Sequence, residues 1–339
     1  MNTSRRNAAR KKRIHMTVLI STIIAVTVLG GGYYLWRETR STSMKSSGGR
    51  VQAAVDNDEI IEYQGNSYKY NDHLSNYLFM GIDTREDVDT YQSQEDAGQA
   101  DSLFLVSMDR VTEKLKVLFI PRDTITEIEV FNPGGKSLGK TKDHINIQYA
   151  YGDGRQKSCE LEKTAVSGLL DDLPIQGYCS VNMDAIPVLT DYVGGVEITV
   201  PDDSLEKVNP DFKQGAQITI TGENAEQFVR YRDINKSQSA LTRQKRQKTY
   251  LQALMQKAQQ KASSDSGFVV GLYDSIKSYT VTSMGNDIFA KLLAASANDT
   301  VETETVPGEG TQGKNFDEYH VDQEKLHEMI LSMFYERQE

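Results

Sequence analysis

The chain has 339 residues, of which 25% are charged and 38% hydrophobic, and its formal charge is −10. That length holds one large domain or two modest ones. The acidic balance argues against nucleic acid and against an anionic lipid surface as general partners, so clusters of arginine stand out as local exceptions.

Residues 1–15 form a basic tail carrying Arg5, Arg6, Arg10, Lys11, Lys12 and Arg13 and no acid. Residues 16–36 follow as an almost unbroken apolar run that ends in Tyr33, Tyr34 and Trp36. About 20 such residues span a bilayer core, and aromatic side chains favour its interface. Positive residues stay on the cytoplasmic side, so the pattern predicts a single-pass signal anchor with its amino terminus inside and the rest outside. A cleaved signal peptide is the competing reading. The length of the apolar run and the Gly30–Tyr34 stretch speak against it. With the tail at +6, the remaining chain carries about −16 of the total −10.

Residues 37–72 are polar, rich in Ser and Gly around Ser41–Gly49, and read as an extracellular spacer. A folded domain is expected over 73–339, with its first strand at Tyr77–Ile82 and an exposed loop from Glu86 to Gly98. Two β-rich runs, Ser102–Met108 and Leu115–Ile120, flank Asp109–Lys114 and predict a hairpin. If Met108 and Leu115 pair beside the turn, antiparallel register sets Asp101 opposite Arg122 at the open end. Asp83, just past the first strand, lies at the same edge.

The segment Gly134–Thr141 reads Gly-Gly-Lys-Ser-Leu-Gly-Lys-Thr and matches a phosphate-binding P-loop letter for letter. A P-loop joins a buried strand to a helix whose amides cradle phosphate. Here Asn132-Pro133 precedes it and no apolar helix follows, so it reads as a flexible glycine/lysine loop. Further along, helices are expected at Cys159–Leu170, Asp184–Tyr192, Gly222–Tyr231 (capped by Thr221) and from Thr242 to about Lys261. Strands are expected at Tyr178–Met183 and Val196–Val200. The last region, 266–339, alternates short signals, with a glycine-rich turn at Gly308–Gly313 and an amphipathic helix at Val321–Tyr335. The architecture is mixed α/β. Cys159 and Cys179 are the only cysteines. A disulfide between them is permitted outside the cytoplasm, and the sequence leaves their pairing open.

The candidate site is anionic chemistry. A pyrophosphate in a low-dielectric site calls for guanidinium forks and commonly magnesium, which takes one or two protein carboxylates. Asp83 and Asp101 suit the metal role, and Arg85 and Arg122 neighbour them. Arg230 and Arg232 end a short helix. Arg243 and Arg246 share one face in the first turn of the next, near its anion-attracting end. Each of these has a bland reading as a surface charge, and their combined order is what carries the signal.

That order resembles the LytR-CpsA-Psr family. The resemblance rests on Gly81-Ile-Asp83-Thr-Arg85, Asp101-Ser102, Ile120-Pro-Arg122-Asp123-Thr124, Ile145-Asn146 with Tyr149–Gly152, Val193–Val196, Gly222–Ala225, and Arg230-Tyr-Arg232 leading to Arg243 and Arg246-Gln247. It covers about residues 77–260. It implies a transferase in the bacterial cell membrane whose outward domain moves a glycopolymer (teichoic acid, capsule or a related polysaccharide). The polymer passes from a polyprenyl-pyrophosphate carrier to peptidoglycan through a phosphodiester. It further implies a central, largely antiparallel sheet flanked by helices with a hydrophobic lipid pocket; Leu169, Leu170, Ile186, Leu189, Val193 and Phe228 are lining candidates or ordinary core. By position, Asp83 and Asp101 would hold magnesium, and Arg85, Arg122, Arg230, Arg232, Arg243 and Arg246 would face the pyrophosphate. Arg122, Asp101 and Asp123 are the catalytic candidates, with Asp123 a possible base. The chain departs from the family pattern at Gln99, where arginine is usual, at Ala240, where aspartate is usual, and at His144, where lysine is common. These departures keep alternatives open: a polymer-binding member without efficient transfer, or a pyrophosphatase that transfers to water.

Overall fold

A computed structural model describes residues 60–90, 96–231, 246, 249–250, 253–254, 256–258, 260–262, 264–265, 267–285, 287–289, 291–292, 295, 302–313 and 316–338. The expected tail, anchor and most of the spacer lie outside the described residues. Among those described, no helix is long and apolar enough to cross a membrane. The chain clusters into two compact units.

Of the described residues, the unit that carries the hairpin contains 60–182, Thr280–Met284 and those from Glu302 onward. Its strands in chain order are β1 (Ile60–Tyr63), β2 (Asn66–Tyr70), β3 (Leu74–Ile82), β4 (Ala100–Asp109), β5 (Leu115–Ile120), β6 (Ile125–Phe131), β7 (Ser137–His144) and β8 (Gly177–Asn182). Helix α1 (Gln156–Leu169) precedes β8. The other unit holds α2 (Ala185–Tyr192), β9 (Val196–Thr199), β10 (Gln217–Ile220), α3 (Gly222–Arg230) and α4 (Phe268–Ile276). The first unit resumes with β11 (Thr280–Thr282), β12 (Glu302–Thr305), β13 (Gly308–Gln312), β14 (Asp317–Val321), α5 (Gln323–Phe334) and β15 (Tyr335–Gln338).

The central sheet has the order β11-β8-β3-β4-β5-β12. It is mixed rather than largely antiparallel, because β3 runs parallel to β8 and β5 parallel to β12. Strands β3 and β4 are buried almost throughout, which explains their near-continuous apolar runs. The even residues of β3 (Leu78, Met80, Ile82) and the odd ones of β4 (Leu103, Leu105) join α1 and α5 in one core. Across the sheet, Phe79 stacks on Phe104 with ring centroids 5.3 Å apart.

The hairpin forms in the expected register: Met108 pairs with Leu115 and Leu103 with Ile120. The Asp109 carboxylate fixes its turn by accepting from the amides of Val111 and Thr112 at 2.8 and 2.9 Å. Expected boundaries for α1, β8, α2, β9 and α3 hold to within a few residues, and Thr221 caps α3 in a capping box with Asn224. The expected helix start at Thr242 lies outside the described residues.

Three expectations need correction, and one open question is answered. Residues 60–70, expected to be spacer, form β1 and β2, and β2 pairs with β15 at the other end of the chain. The Gly134–Thr141 segment is the turn and second strand of the β6–β7 hairpin, followed by short 3-10 turns, so it is neither a P-loop nor a loop. Gly308–Gln312 is a strand rather than a turn. Cys159 and Cys179 are free and buried. Cys159 Sγ lies 3.4 Å from Ser180 Oγ, and adjacent strand residues point to opposite faces, so Cys179 looks away from it. Burial pushes the Cys159 thiol up to about 12, which makes it chemically inert.

Candidate active site

Three neighbouring strands deliver the site to one end of the sheet. β3 ends at Ile82 just before Asp83, β4 begins at Ala100 just before Asp101, and β5 ends at Ile120 two residues before Arg122. The β3–β4 ladder shifts register here: Gly81 pairs with Ser102 and Ile82 with Ala100, leaving Asp101 as the extra residue of a bulge. A bulge re-aims a side chain that regular pleating would place elsewhere. The re-aimed Asp101 carboxylate ion-pairs with Arg122 Nη1, while Arg122 Nε donates to Asp123 Oδ1 at 3.1 Å. The three side chains are partly open to solvent, Arg122 at 33% and Asp101 at 23%. Partial burial works against the Arg122 charge, but the two carboxylates outweigh it and raise its pKa, so the guanidinium stays charged.

Asp83 joins this group through Gln99. The Asp83 Oδ1 accepts from the Gln99 amide at 2.6 Å, and the Gln99 carbonyl accepts from the amides of both Asp83 and Asp101, each at 3.1 Å. Gly98 makes the approach possible. Its φ is +70°, and a Cβ there would collide with Thr84 Cγ2 and meet Asp83 Oδ1 at 2.7 Å. From the third side, Asn146 Nδ2 donates to Gln99 Oε1 at 3.1 Å and the Asn146 amide to the Arg122 carbonyl at 3.4 Å. Asn146 follows the β6–β7 hairpin, whose last residue is His144. The His144 ring bridges Asp143 Oδ1 and the Asp317 carbonyl, both at 2.9 Å. Sequence reading singled out Gln99 and His144 only as departures; their bonds join segments far apart in the chain.

Asp83, Asp101, Arg122 and Asp123 are thus brought together, and Arg85 lies exposed on the loop that leaves Asp83. The carboxylate pair suits a hard, oxygen-seeking cation such as magnesium, with ligand phosphates and water completing its shell. Among the described residues no group of three or more acidic, His or Cys side chains is placed to hold a metal.

The remaining arginines divide. Arg230 ends α3 half-exposed and donates to Glu226 Oε1 at 2.7 Å. Arg232 and Arg243 lie outside the described residues. Arg246 corrects an expectation: it is 1% exposed, donates to the carbonyls of Phe228 at 3.0 Å and Tyr231, and pairs with Asp202 at 3.6 Å. A guanidinium so enclosed braces its own unit and offers nothing to a pyrophosphate. Leu169 and Leu170 likewise sit in the core beneath the sheet, and Phe228 packs on Phe212 at 5.6 Å.

The LytR_cpsA_psr family model matches residues 35–334. A polyisoprenyl-teichoic acid–peptidoglycan teichoic acid transferase TagU from Halalkalibacterium halodurans is 28% identical over 322 residues, 93% of this chain and 95% of that protein. The protein of the same name from Bacillus cereus is 31% identical over 248 residues, 73% and 72% of the two chains. The crystal structure of B. subtilis TagV superposes with a TM-score of 0.55 at 25% identity, covering 77% of this chain and 97% of that one. The bulged carboxylate, the arginine set against it and the sheet that presents them occur in a chain that belongs to the LytR-CpsA-Psr family.

Proposed function

We propose that this chain is an extracytoplasmic phosphotransferase that moves a glycopolymer from a polyprenyl-pyrophosphate carrier onto peptidoglycan. The observation that carries the reading is the Arg122 guanidinium fixed between Asp101 and Asp123. Two of its five N–H bonds go to those carboxylates, and three remain to meet phosphate oxygens. Its fixed orientation is what stabilising a developing charge requires, since no reorganisation is left to be done during reaction. The relatives named as teichoic acid transferases support a wall polymer as the cargo.

In the reaction, an acceptor hydroxyl oxygen bonds to the sugar-linked phosphorus as the bond from that phosphorus to the bridging oxygen breaks. Polyprenyl phosphate leaves with that bonding pair, and the hydroxyl proton passes to a carboxylate, for which Asp123 is our candidate. Arg122 meets the charge that gathers on the phosphate oxygens. Asp83 and Asp101 would hold magnesium, which when bound neutralises part of the pyrophosphate charge. Arg85, on the loop that leaves Asp83, would add a further head-group contact. A hydrophobic pocket for the lipid belongs to the same reading, as do the single-pass anchor at 16–36 and the basic tail on the cytoplasmic side.

The test is direct. The full chain in detergent is incubated with a short lipid-pyrophosphate glycan, a peptidoglycan oligomer and magnesium, and mass spectrometry follows the phosphodiester-linked product and released polyprenyl phosphate. Linked product is the expected result. Release of phosphorylated glycan without linkage would mean transfer to water, and tight binding without either product would mean a carrier protein.

A further inference from the structure

The proposed mechanism uses Asp83, Asp101 and Arg122 but leaves unexplained what holds three side chains from three separate strand ends at fixed spacing. Asp101 and Arg122 are joined directly by their ion pair, and Gln99 ties Asp83 to Asp101 and reaches on to Asn146. The Gln99 backbone makes three hydrogen bonds to the two aspartates, with its amide on Asp83 Oδ1 and its carbonyl on the amides of Asp83 and Asp101. Its side chain then reaches Asn146, whose own backbone amide faces the Arg122 carbonyl. Asn146 is 3% exposed, so its amide is held in a dry setting where a lost partner is not replaced by water.

We propose that Gln99 and Asn146 are a positioning pair, whose amide–amide hydrogen bond sets the spacing between the Asp83/Asp101 carboxylates and Arg122. The inference rests on the phosphotransferase reading above. The chemistry of the pair fits the role. Two amides link the segments without placing a further charge beside two carboxylates and a guanidinium, so the electrostatic balance of the site stays with the groups that meet phosphate. An anion at position 99 would compete for Arg122. The Gln99–Asn146 bond also joins the β3–β4 edge to the segment after the β6–β7 hairpin, beside the backbone bonds that tie that segment to Arg122 and Thr124. Misplacement of about 1 Å at such a site costs up to a hundredfold in rate.

The test compares wild type with Gln99→Ala, Asn146→Ala and the exchanged double variant Gln99→Asn/Asn146→Gln, which keeps the combined side-chain length. Three quantities are read: kcat and KM for the lipid-linked donor, affinity for inorganic pyrophosphate with magnesium by calorimetry, and the thermal unfolding midpoint. Each single variant is expected to lose about tenfold or more in kcat and in pyrophosphate affinity, as outer-shell partners typically do, with donor KM within about twofold. The exchanged variant should recover most of both. Single variants that unfold at lower temperature yet keep kcat and pyrophosphate affinity would reduce the pair to ordinary packing and overturn the inference. So would an exchanged variant no better than the singles. If wild type transfers no polymer, the phosphotransferase reading fails, and the calorimetric series alone then decides the positioning role. Unchanged or undetectable affinity across that series counts against it.

Discussion

Arg122 meets Asp101 two residues beyond the last paired rung of the β4–β5 ladder, Leu103 with Ile120, where antiparallel register sets them opposite each other. The bulge at Asp101 and Pro121 before Arg122 change the local course of both strands, and the two side chains still find each other. Changing either partner therefore disturbs both charge and alignment. Arg122→Ala is expected to reduce transfer by about a hundredfold or more, the usual cost of removing a preorganised donor. Arg122→Lys should recover little, because one ammonium does not reproduce the planar fork between two carboxylates and a phosphate. Steady-state transfer by both variants, with folding checked by circular dichroism, measures this.

Gly98→Ala should be costly although it adds one methyl group. The left-handed backbone disfavours any side chain by about 1 kcal/mol, and the new Cβ would collide with Thr84 and press on Asp83. Lower stability in urea together with reduced transfer is the expected pair of results. Full activity in a destabilised variant would show that Asp83 tolerates displacement.

His144 gives a pH signature. Both ring nitrogens face acceptors, the Asp143 carboxylate and the Asp317 carbonyl, so both bonds form only when the ring carries two protons. Partial burial acts to lower its pKa, but these bonds outweigh burial and raise it. The stabilisation is therefore complete below the unfolded value of about 6.5 and is lost as pH rises through the folded value. Urea midpoints should fall across that window in wild type and lose this component in His144→Gln.

Glu162 titrates in the same direction for a different reason. It lies in α1 with no surface exposed, and no other side chain offers either carboxyl oxygen a hydrogen bond. Burial pushes its pKa well above the usual carboxylate range, and the Tyr149 amide offsets only part of that. Above about pH 4.5 the unfolded chain releases this proton and the folded chain keeps it, so stability declines as pH rises toward the folded value. Glu162→Gln should raise the unfolding midpoint more at pH 8 than at pH 5. Equal midpoints for the two proteins at both pH values would mean that the group pays no desolvation cost.

Arg246→Met removes the charge partner of Asp202 and takes a donor from two backbone carbonyls. Breaking such a pair costs about 3–5 kcal/mol. The expected outcome is a large loss of stability, with unchanged pyrophosphate affinity in whatever fraction remains folded. A selective loss of affinity at full stability would return Arg246 to the ligand site.

The legible parts of this chain are those whose partners lie close in sequence or whose burial forces an apolar pattern. Leu103–Met108 and Leu115–Ile120 could be paired by reading alone, and the Asp101–Arg122 contact followed from their register. β7 was not legible because Ser137–Lys142 are all exposed and show no alternation of apolar and polar side chains. The polar β2 takes one of its two neighbours from β15, hundreds of residues away. Arg246 resembled a ligand-binding arginine in sequence because what encloses it, Asp202 and two carbonyls, is chosen by tertiary packing. Gln99 registered only as a departure from the family pattern, since an amide's choice of partner leaves no trace in spacing.

The pairing of β2 with β15 has a bearing on how the molecule is made. Tyr63 contacts Glu328 across a separation of 265 residues, and β2 gains its second neighbour only when Tyr335–Gln338 are present. A nascent chain therefore keeps one edge of β2 open until Tyr335–Gln338 have been made. Closing so long a loop comes late and slowly compared with local hairpins. Protection of the β2 amides from exchange would accordingly report on chains that carry Tyr335–Gln338, distinguishing them from products cut before that strand.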